Sequence, residues 1–313
     1  MDENMTTNQV TNDDKWGLVL CGGGAKGSYQ IGSWKALEEY GLFPKVKGFS
    51  GDSIGAINEM IMASMTQAAG EDLWESINFL TVFDTEPELI DMEEGTFSRN
   101  EMLSIMRHNI NYTTLANDSR DLFVNITKMG PYGLEEGSVA VYEKLNNKSA
   151  ERIEKIVLAS SALPIIYEAV EMDGALYRDG GMTDNMPIKP LYDAGYRKII
   201  VIALSHKATI NTDLYPDCEI LLIRPSQNLG DLIDGTLNFK TRDIKMRMEM
   251  GYRDTLRTLK AYFEKDPAYL AQLDILAQMD NQDILVNSKM QSLNDRVTGH
   301  MDKLDSIINK YSI

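Results

Sequence analysis

The sequence predicts an α/β fold with a mainly parallel central sheet, and three observations carry this prediction. Residues 16–21 form a short apolar run, and a glycine-rich loop follows at residues 22–27. Residues 28–40 then have a helical pattern, and Gly41 is suited to end it. A second strand, residues 46–50, leads into a second helical pattern. Strands and helices that alternate in this way are typical of parallel sheets.

The later part of the chain continues the pattern. Strands are predicted at residues 121–127, 138–142, 198–204 and 219–223, and helices at residues 149–160 and 187–194. Residues 165–170 and 175–177 are predicted to form a hairpin around Asp173-Gly174. Six apolar residues at helical spacing predict one long helix: Ile244, Met248, Tyr252, Leu256, Leu259 and Phe263. We expect this helix to pack on the domain rather than on a membrane.

The domain organisation follows from these elements. Residues 1–14 are polar and are predicted to be disordered, and residues 15–264 are predicted to form one domain. A helical insertion is expected at about residues 71–111, either as a surface subdomain or as a lid over the substrate. Residues 265–313 are predicted to be a helical C-terminal extension.

Composition excludes several classes of function. The formal net charge of −16 argues against a nucleic-acid partner, because phosphates require a basic surface. We find no basic and apolar leader and no run of eighteen apolar residues, so no signal peptide and no membrane span are predicted. We therefore expect a cytoplasmic protein, while export without a signal peptide stays open.

The cysteines and histidines do not predict a metal site. Cys21 and Cys218 both lie beside apolar runs, where a thiol behaves as a small buried hydrophobe, and this favours a reducing compartment. The three histidines, His108, His206 and His300, are too widely spaced for a zinc pattern. We expect no metal and no cofactor.

The segment Gly51-Asp52-Ser53-Ile54-Gly55 has the form of a nucleophile elbow. A serine between a strand and a helix lies on a sharp turn with an exposed hydroxyl, and the glycines on either side allow close backbone packing. Ser53 is therefore the candidate nucleophile. The alternative is a serine that only caps the following helix.

The glycine loop consists of Gly22, Gly23, Gly24, Ala25, Lys26 and Gly27. Its backbone N–H groups, placed between a strand and a helix, are suited to stabilise an oxyanion. The same residues match the G-x-G-x-x-G pattern of dinucleotide-binding oxidoreductases, which stays open as an alternative. That function requires an acid at the tip of the next strand, where Asp52 instead belongs to the elbow.

Asp179 is the candidate base, because it follows a strand and precedes Gly180 and Gly181, which leave its carboxylate room to approach another backbone. An ordinary Asp-Gly turn is the alternative. A Ser53–Asp179–His206 triad is a further alternative, since these residues occur in the chain order of the α/β-hydrolases. A protein that only binds partners and has no catalytic activity is also compatible with the pattern.

The glycine loop, the elbow and Asp179-Gly180-Gly181, in this order, resemble the three motifs of the patatin-like phospholipases. The stretches at residues 159–164, 184–187 and 224–230 resemble the family as well. Lys26 departs from the arginine of many members and lacks the planar fork of a guanidinium group.

The resemblance implies a three-layer α/β/α sandwich with a mostly parallel sheet. It also implies a serine acyl hydrolase that cleaves lipid acyl esters, of phospholipase A or lysophospholipase type. Ser53 and Asp179 would form its catalytic dyad, with the oxyanion hole at the glycine loop. The expected partner is a lipid-like ester, with transient contact with a membrane or micelle surface.

Overall fold

The computed structural model describes residues 15–77, 100–133, 135–164, 166–265, 279, 282–286 and 288–290. Its strands are β1 (Trp16–Leu20), β2 (Val46–Asp52), β3 (Asp121–Lys128), β4 (Val139–Lys144), β5 (Val170–Met172), β6 (Ala175–Asp179), β7 (Lys198–Ile202) and β8 (Glu219–Ile223). Its α-helices are α1 (Ser28–Glu39), α2 (Ile54–Ser64), α3 (Gln67–Ser76), α4 (Asn100–Asn109), α5 (Tyr112–Ala116), α6 (Ala150–Ser160), α7 (Lys189–Asp193) and α8 (Thr241–Glu264).

Three sequence predictions fall wholly or mainly outside these residues. They are the disorder of residues 1–14, the acidic centre of the insertion around Pro87, and most of the C-terminal extension. The described pieces of the extension are helical, and Ile284 belongs to the core. At the insertion, α3 and α4 are helices, as predicted.

The eight strands form one mixed sheet in the order β5-β6-β3-β2-β1-β7-β8, and β4 also pairs with β3. Five strands are mutually parallel: β3, β2, β1, β7 and β8. The other three pair antiparallel at the β3 side of the sheet. The mostly parallel sheet predicted from the sequence is therefore confirmed.

Both faces of the sheet are covered by helices. Successive residues of a strand point to opposite faces, and in β1 Leu18 and Leu20 join the larger core with side chains of α1, α2 and α8. Val19 and Cys21 join a smaller core on the other face, where Leu191 of α7 packs. The fold is the three-layer α/β/α sandwich that the resemblance implied.

Helices α1 and α8 contact each other at two glycines. A Cβ atom on Gly32 would lie 1.8 Å from the carbonyl oxygen of Met248, and one on Gly251 would lie 2.0 Å from that of Tyr29. Both positions therefore require glycine. The predicted packing of α8 on the domain is confirmed, although Phe263 at its end is 46% exposed.

The predicted hairpin around Asp173-Gly174 is confirmed, but its first strand is shorter than expected. Strand β5 begins only at Val170, and the predicted strand over residues 165–170 is wrong. The N–H groups of Ile166 and Tyr167 donate to the carbonyl oxygen of Leu163 in a turn. Both side chains are buried. The apolar residues that suggested a strand are therefore explained by the packing of a turn against the core.

No helix within the described ranges combines the length and the apolar character needed to cross a membrane.

Candidate active site

Strands β2 and β6 meet end to end along one edge of β3. Strand β2 runs parallel to β3 and its last residue, Asp52, pairs with Asn125. Strand β6 runs antiparallel to β3 and its last residue, Asp179, pairs with Ile126. Strand β4 pairs with residues 123–128 and occupies the opposite edge. The carboxyl ends of β2 and β6 therefore face each other, and this brings Ser53 to Asp179.

Ser53 has the strained backbone of a nucleophile elbow. Its φ of 52° and ψ of −125° lie outside the regions that side-chain-bearing residues prefer. A Cβ on Gly55 would lie 2.0 Å from the carbonyl oxygen of Leu20, and one on Gly51 would lie 2.6 Å from the Gly55 backbone. The two glycines are therefore needed for the close packing that holds the turn, as the sequence predicted.

Ser53 and Asp179 are hydrogen bonded directly. The Ser53 hydroxyl donates to Asp179 Oδ2 at 2.7 Å. The other oxygen, Oδ1, accepts the N–H of Gly181 at 2.9 Å, and the Asp179 carbonyl accepts the Thr127 hydroxyl at 2.7 Å. With the side chain only 4% exposed, the carboxylate is held in one orientation toward the serine.

Asn125 and Ser160 support this pair, and the sequence analysis assigned neither of them a role. The Ser160 hydroxyl accepts the N–H of Ser53 at 2.8 Å and donates to the Asn125 carbonyl at 2.7 Å. The Asn125 amide donates to the carbonyls of Gly180 at 2.9 Å and Asp184 at 2.7 Å. The available signal was a polar residue in the otherwise apolar centre of β3.

The glycine loop lies against the same site. The N–H of Gly22 is shared between Asp52 Oδ1 at 3.0 Å and Asn185 Oδ1 at 3.1 Å. The N–H groups of Gly23 and Gly24 have no hydrogen-bond partner in the described part of the chain. Both glycines line the cavity that also contains Ser53.

Asp52 is fully buried beneath the loop. Burial raises the pKa of its carboxyl well above the ordinary value, and the carboxylates of Asp179 and Asp184 raise it further. Its Oδ2 atom has no hydrogen-bond partner among the described residues. Since a dinucleotide site needs an acid free to bind a ribose, this buried position does not suit that alternative.

Lys26 is the positively charged residue of the glycine loop. It lines the cavity at Ser53, and its half-buried position lowers the pKa of its ammonium group. The positive charge of Arg247 adds to this lowering, while Asp231 opposes it.

His206 lies in a turn after β7 and does not line the cavity at Ser53. The hydrogen bond that a triad histidine would accept from Ser53 goes to Asp179 instead. Among the described residues, no group of three or more histidine, cysteine, aspartate or glutamate side chains is arranged to hold a metal ion.

A cavity of about 770 Å³ opens over the pair and the loop. Its polar lining includes Ser53, Asp179, Lys26 and Asn185, and its walls are mainly apolar. The apolar lining residues are Ile54, Ile57, Met102, Leu163, Pro164, Ile166, Met182, Leu232, Leu237 and Phe239. A cavity with few convergent polar groups and apolar walls is typical of a site for a largely apolar ligand.

A family model described as patatin-like phospholipase matches residues 18–192, more than half of the chain. The chain belongs to the patatin-like phospholipase family. The matched segment contains both Ser53 and Asp179. Strands β7 and β8 and helix α8 follow the patatin-like match and complete the sheet and one helical layer.

One curated protein and two solved structures show what else the chain is similar to. Lysophospholipase NTE1 of Cryptococcus neoformans var. neoformans serotype D is 30% identical over 195 residues, which are 59% of this chain and 11% of that protein. The chain thus spans about a tenth of the length of the curated relatives that it matches. VipD from Legionella pneumophila is 14% identical, with a TM-score of 0.49 over 94% of this chain and 80% of that chain. Human GIVD cytosolic phospholipase A2 is 9% identical, with a TM-score of 0.48 over 86% and 61%.

Proposed function

We propose that this patatin-like protein is a serine hydrolase of lipid acyl esters, with phospholipids or lysophospholipids as the substrate class. The observation that carries the proposal is the direct 2.7 Å hydrogen bond from Ser53 to Asp179 at the floor of a mainly apolar cavity. A nucleophile paired with a base is what acyl transfer needs. The name of the curated relative, a lysophospholipase, supports the same substrate class.

The first half-reaction uses Asp179 as general base. Its carboxylate takes the Ser53 proton as Oγ attacks the ester carbonyl carbon, and a C–O bond forms. The negative charge on the carbonyl oxygen is stabilised by the N–H groups of Gly23 and Gly24, together with the N-terminus of α2 that begins after Ser53. Asp179 then returns the proton to the departing alcohol oxygen as the original ester bond breaks, and this leaves an acyl-serine.

The second half-reaction repeats these steps with water. Asp179 takes a proton from the water as its oxygen attacks the acyl carbon, and Ser53 leaves with that proton while the fatty acid departs. An alcohol in place of water would give acyl transfer from the same intermediate. The buried hydrogen bonds around Asp179 support this role, because they hold its carboxylate in place through both halves.

Ester hydrolysis by the wild type and Ser53→Ala tests the proposal. We expect the wild type to cleave p-nitrophenyl esters and lysophosphatidylcholine and the variant to fall to background, with unchanged circular dichroism. A wild type that cleaves neither class of ester, or a variant with wild-type turnover, would contradict the proposal. A nicotinamide fluorescence titration tests the dinucleotide alternative, and we expect no binding.

A further inference from the structure

A second, smaller cavity of about 60 Å³ adjoins the cavity at Ser53. We name it the tail pocket, and the described residues that line it are Ile54, Ile57, Ile61, Leu73, Trp74, Ile77, Met102, Ile105, Met106, Ile110 and Phe239. All of them are apolar except for the indole N–H of Trp74, which donates to Asn58 Oδ1 at 2.9 Å and is thus already paired. The tail pocket therefore offers no hydrogen bond to a ligand.

The tail pocket continues from the catalytic serine. Four residues line both cavities: Ile54, Ile57, Met102 and Phe239. Ile54 directly follows Ser53 in the chain, and Ile57 and Ile61 lie further along the same helix. The wall of α2 therefore leads from the nucleophile into the tail pocket.

Water is an unsuitable occupant of this space. A buried water needs two to four polar partners, and apolar cavities of comparable character stay dry and bind apolar ligands. Trp74 and Phe239 are stacked at the pocket, with ring centroids 6.4 Å apart and planes at 14°, so flat apolar surface forms part of its wall. A hydrocarbon chain fits this chemistry.

We propose that the tail pocket takes the methyl end of the acyl chain whose carbonyl carbon lies at Ser53, so that the protein selects esters by chain length. This inference rests on the proposed function and adds a preference of the enzyme for esters of a certain acyl chain length. Each methylene group that leaves water for the pocket should favour binding about fourfold. Acyl chains too short to reach the pocket would gain no binding free energy from it.

Helix α4 provides a matched pair of variants. Ile105 lines the tail pocket and Leu103, on the same helix, lines neither cavity, and both side chains are partly buried. We expect Ile105→Trp to fill the pocket and lower kcat/KM for p-nitrophenyl hexadecanoate by about tenfold or more, while activity on the butanoate stays within about twofold. Leu103→Trp should change neither ester selectively.

The butanoate activity shows that each variant folds. Equal losses on both esters with Ile105→Trp, or the same chain-length profile as the wild type, would overturn the tail pocket while leaving the hydrolase intact. Selective loss with Leu103→Trp would also overturn it.

A binding measurement separates this inference from catalysis. Bromine-labelled hexadecanoic acid, added to Ser53→Ala protein, should quench the fluorescence of Trp74. The quenching should be absent in the double variant Ser53→Ala/Trp74→Phe, because its two remaining tryptophans, Trp16 and Trp34, do not line the pocket. Quenching in Ser53→Ala, together with a wild type that cleaves no ester, would support the tail pocket and contradict the proposed function. No difference in quenching between the two proteins would contradict the tail pocket.

Discussion

The Asp52 carboxylate accepts a hydrogen bond from the backbone N–H of Gly22 at 3.0 Å. This bond joins the residue before Ser53 to the first residue of the glycine loop. Asn185 shares the same N–H from the segment that follows Asp179. The three sequence motifs are therefore connected beneath the site, and the proposed oxyanion donors are the N–H groups of Gly23 and Gly24, which have no hydrogen-bond partner in the described part of the chain.

The Asp52 carboxyl should make stability depend on pH. Burial raises its folded pKa well above the ordinary value, and Asp179 and Asp184 add to the rise. The folded protein thus holds this proton more tightly than the unfolded chain. Its contribution to stability is fully present below the unfolded pKa of about 3.9 and is lost as the pH rises through the folded pKa.

Asp52→Asn removes this titration and retains an oxygen that accepts the Gly22 N–H. We expect the free energy of unfolding of the variant, relative to wild type, to rise with pH above about 4, by at most about 1.4 kcal/mol per pH unit. Urea unfolding at a series of pH values measures it. Asp173→Asn is the control with the opposite sign, because the hydrogen bond from Arg152 lowers the pKa of Asp173. Its free energy of unfolding relative to wild type should fall as the pH rises to about 5 and should stay level above that. If the difference in free energy of unfolding between Asp52→Asn and wild type did not change with pH, the prediction would be refuted.

The identity of the base is tested by two variants on one ester. Asp179→Asn keeps the shape of the side chain but cannot take the Ser53 proton, so we expect kcat to fall by about 10³–10⁴. His206→Ala should keep most of its kcat, because His206 lies outside the cavity. Circular dichroism controls for folding. A His206→Ala enzyme slowed about a thousandfold with its fold intact would restore the triad alternative.

The sequence was informative where function depends on short segments. The elbow at Ser53 and the Asp179-Gly180-Gly181 turn each carry glycines that the backbone packing requires, so local pattern indicated them. The contact between Ser53 and Asp179 could not be predicted from local pattern, because it depends on β2 and β6 pairing with the same edge of β3. The role of Asn125 follows only from that pairing.

Helix α8 also shows that local pattern predicts which apolar residues are buried but does not predict long-range polar contacts. Its apolar spacing correctly predicted that Ile244 and Met248 are buried, since helical periodicity is a property of the segment itself. The burial of Arg247 and Asp254 on the same helix was not predicted. Both residues form hydrogen bonds with groups outside the helix; the Tyr29 hydroxyl, for example, donates to Asp254 at 3.1 Å. Periodicity alone cannot identify such partners.

Arg247 connects the glycine loop to the far wall of the cavity. Its guanidinium group donates to the carbonyls of Asn238 and Asp234, each at 2.9 Å, and more weakly to that of Ala25 at 3.5 Å. The side chain is 1% exposed, and burial lowers its pKa. Ala25 belongs to the glycine loop, and the segment around Asp234 and Asn238 supplies Leu237 and Phe239 to the cavity wall. One buried side chain thus links the glycine loop to the apolar wall of the cavity.

Arg247→Met should therefore affect both stability and catalysis. It removes the hydrogen bonds that the buried guanidinium group donates to the carbonyls of Asn238, Asp234 and Ala25, and we expect a loss of about 1–3 kcal/mol in urea unfolding. Where the variant remains folded, kcat should fall about tenfold or more, because a small displacement of the proposed oxyanion donors, the N–H groups of Gly23 and Gly24, would weaken their stabilisation of the transition state. Arg253→Met is the matched control on the same helix, since the Arg253–Glu249 ion pair lies at the surface and should contribute less than about 1 kcal/mol. Equal effects of the two substitutions would show that Arg247 acts only as another helix residue, because the control removes a comparable side chain without touching the loop.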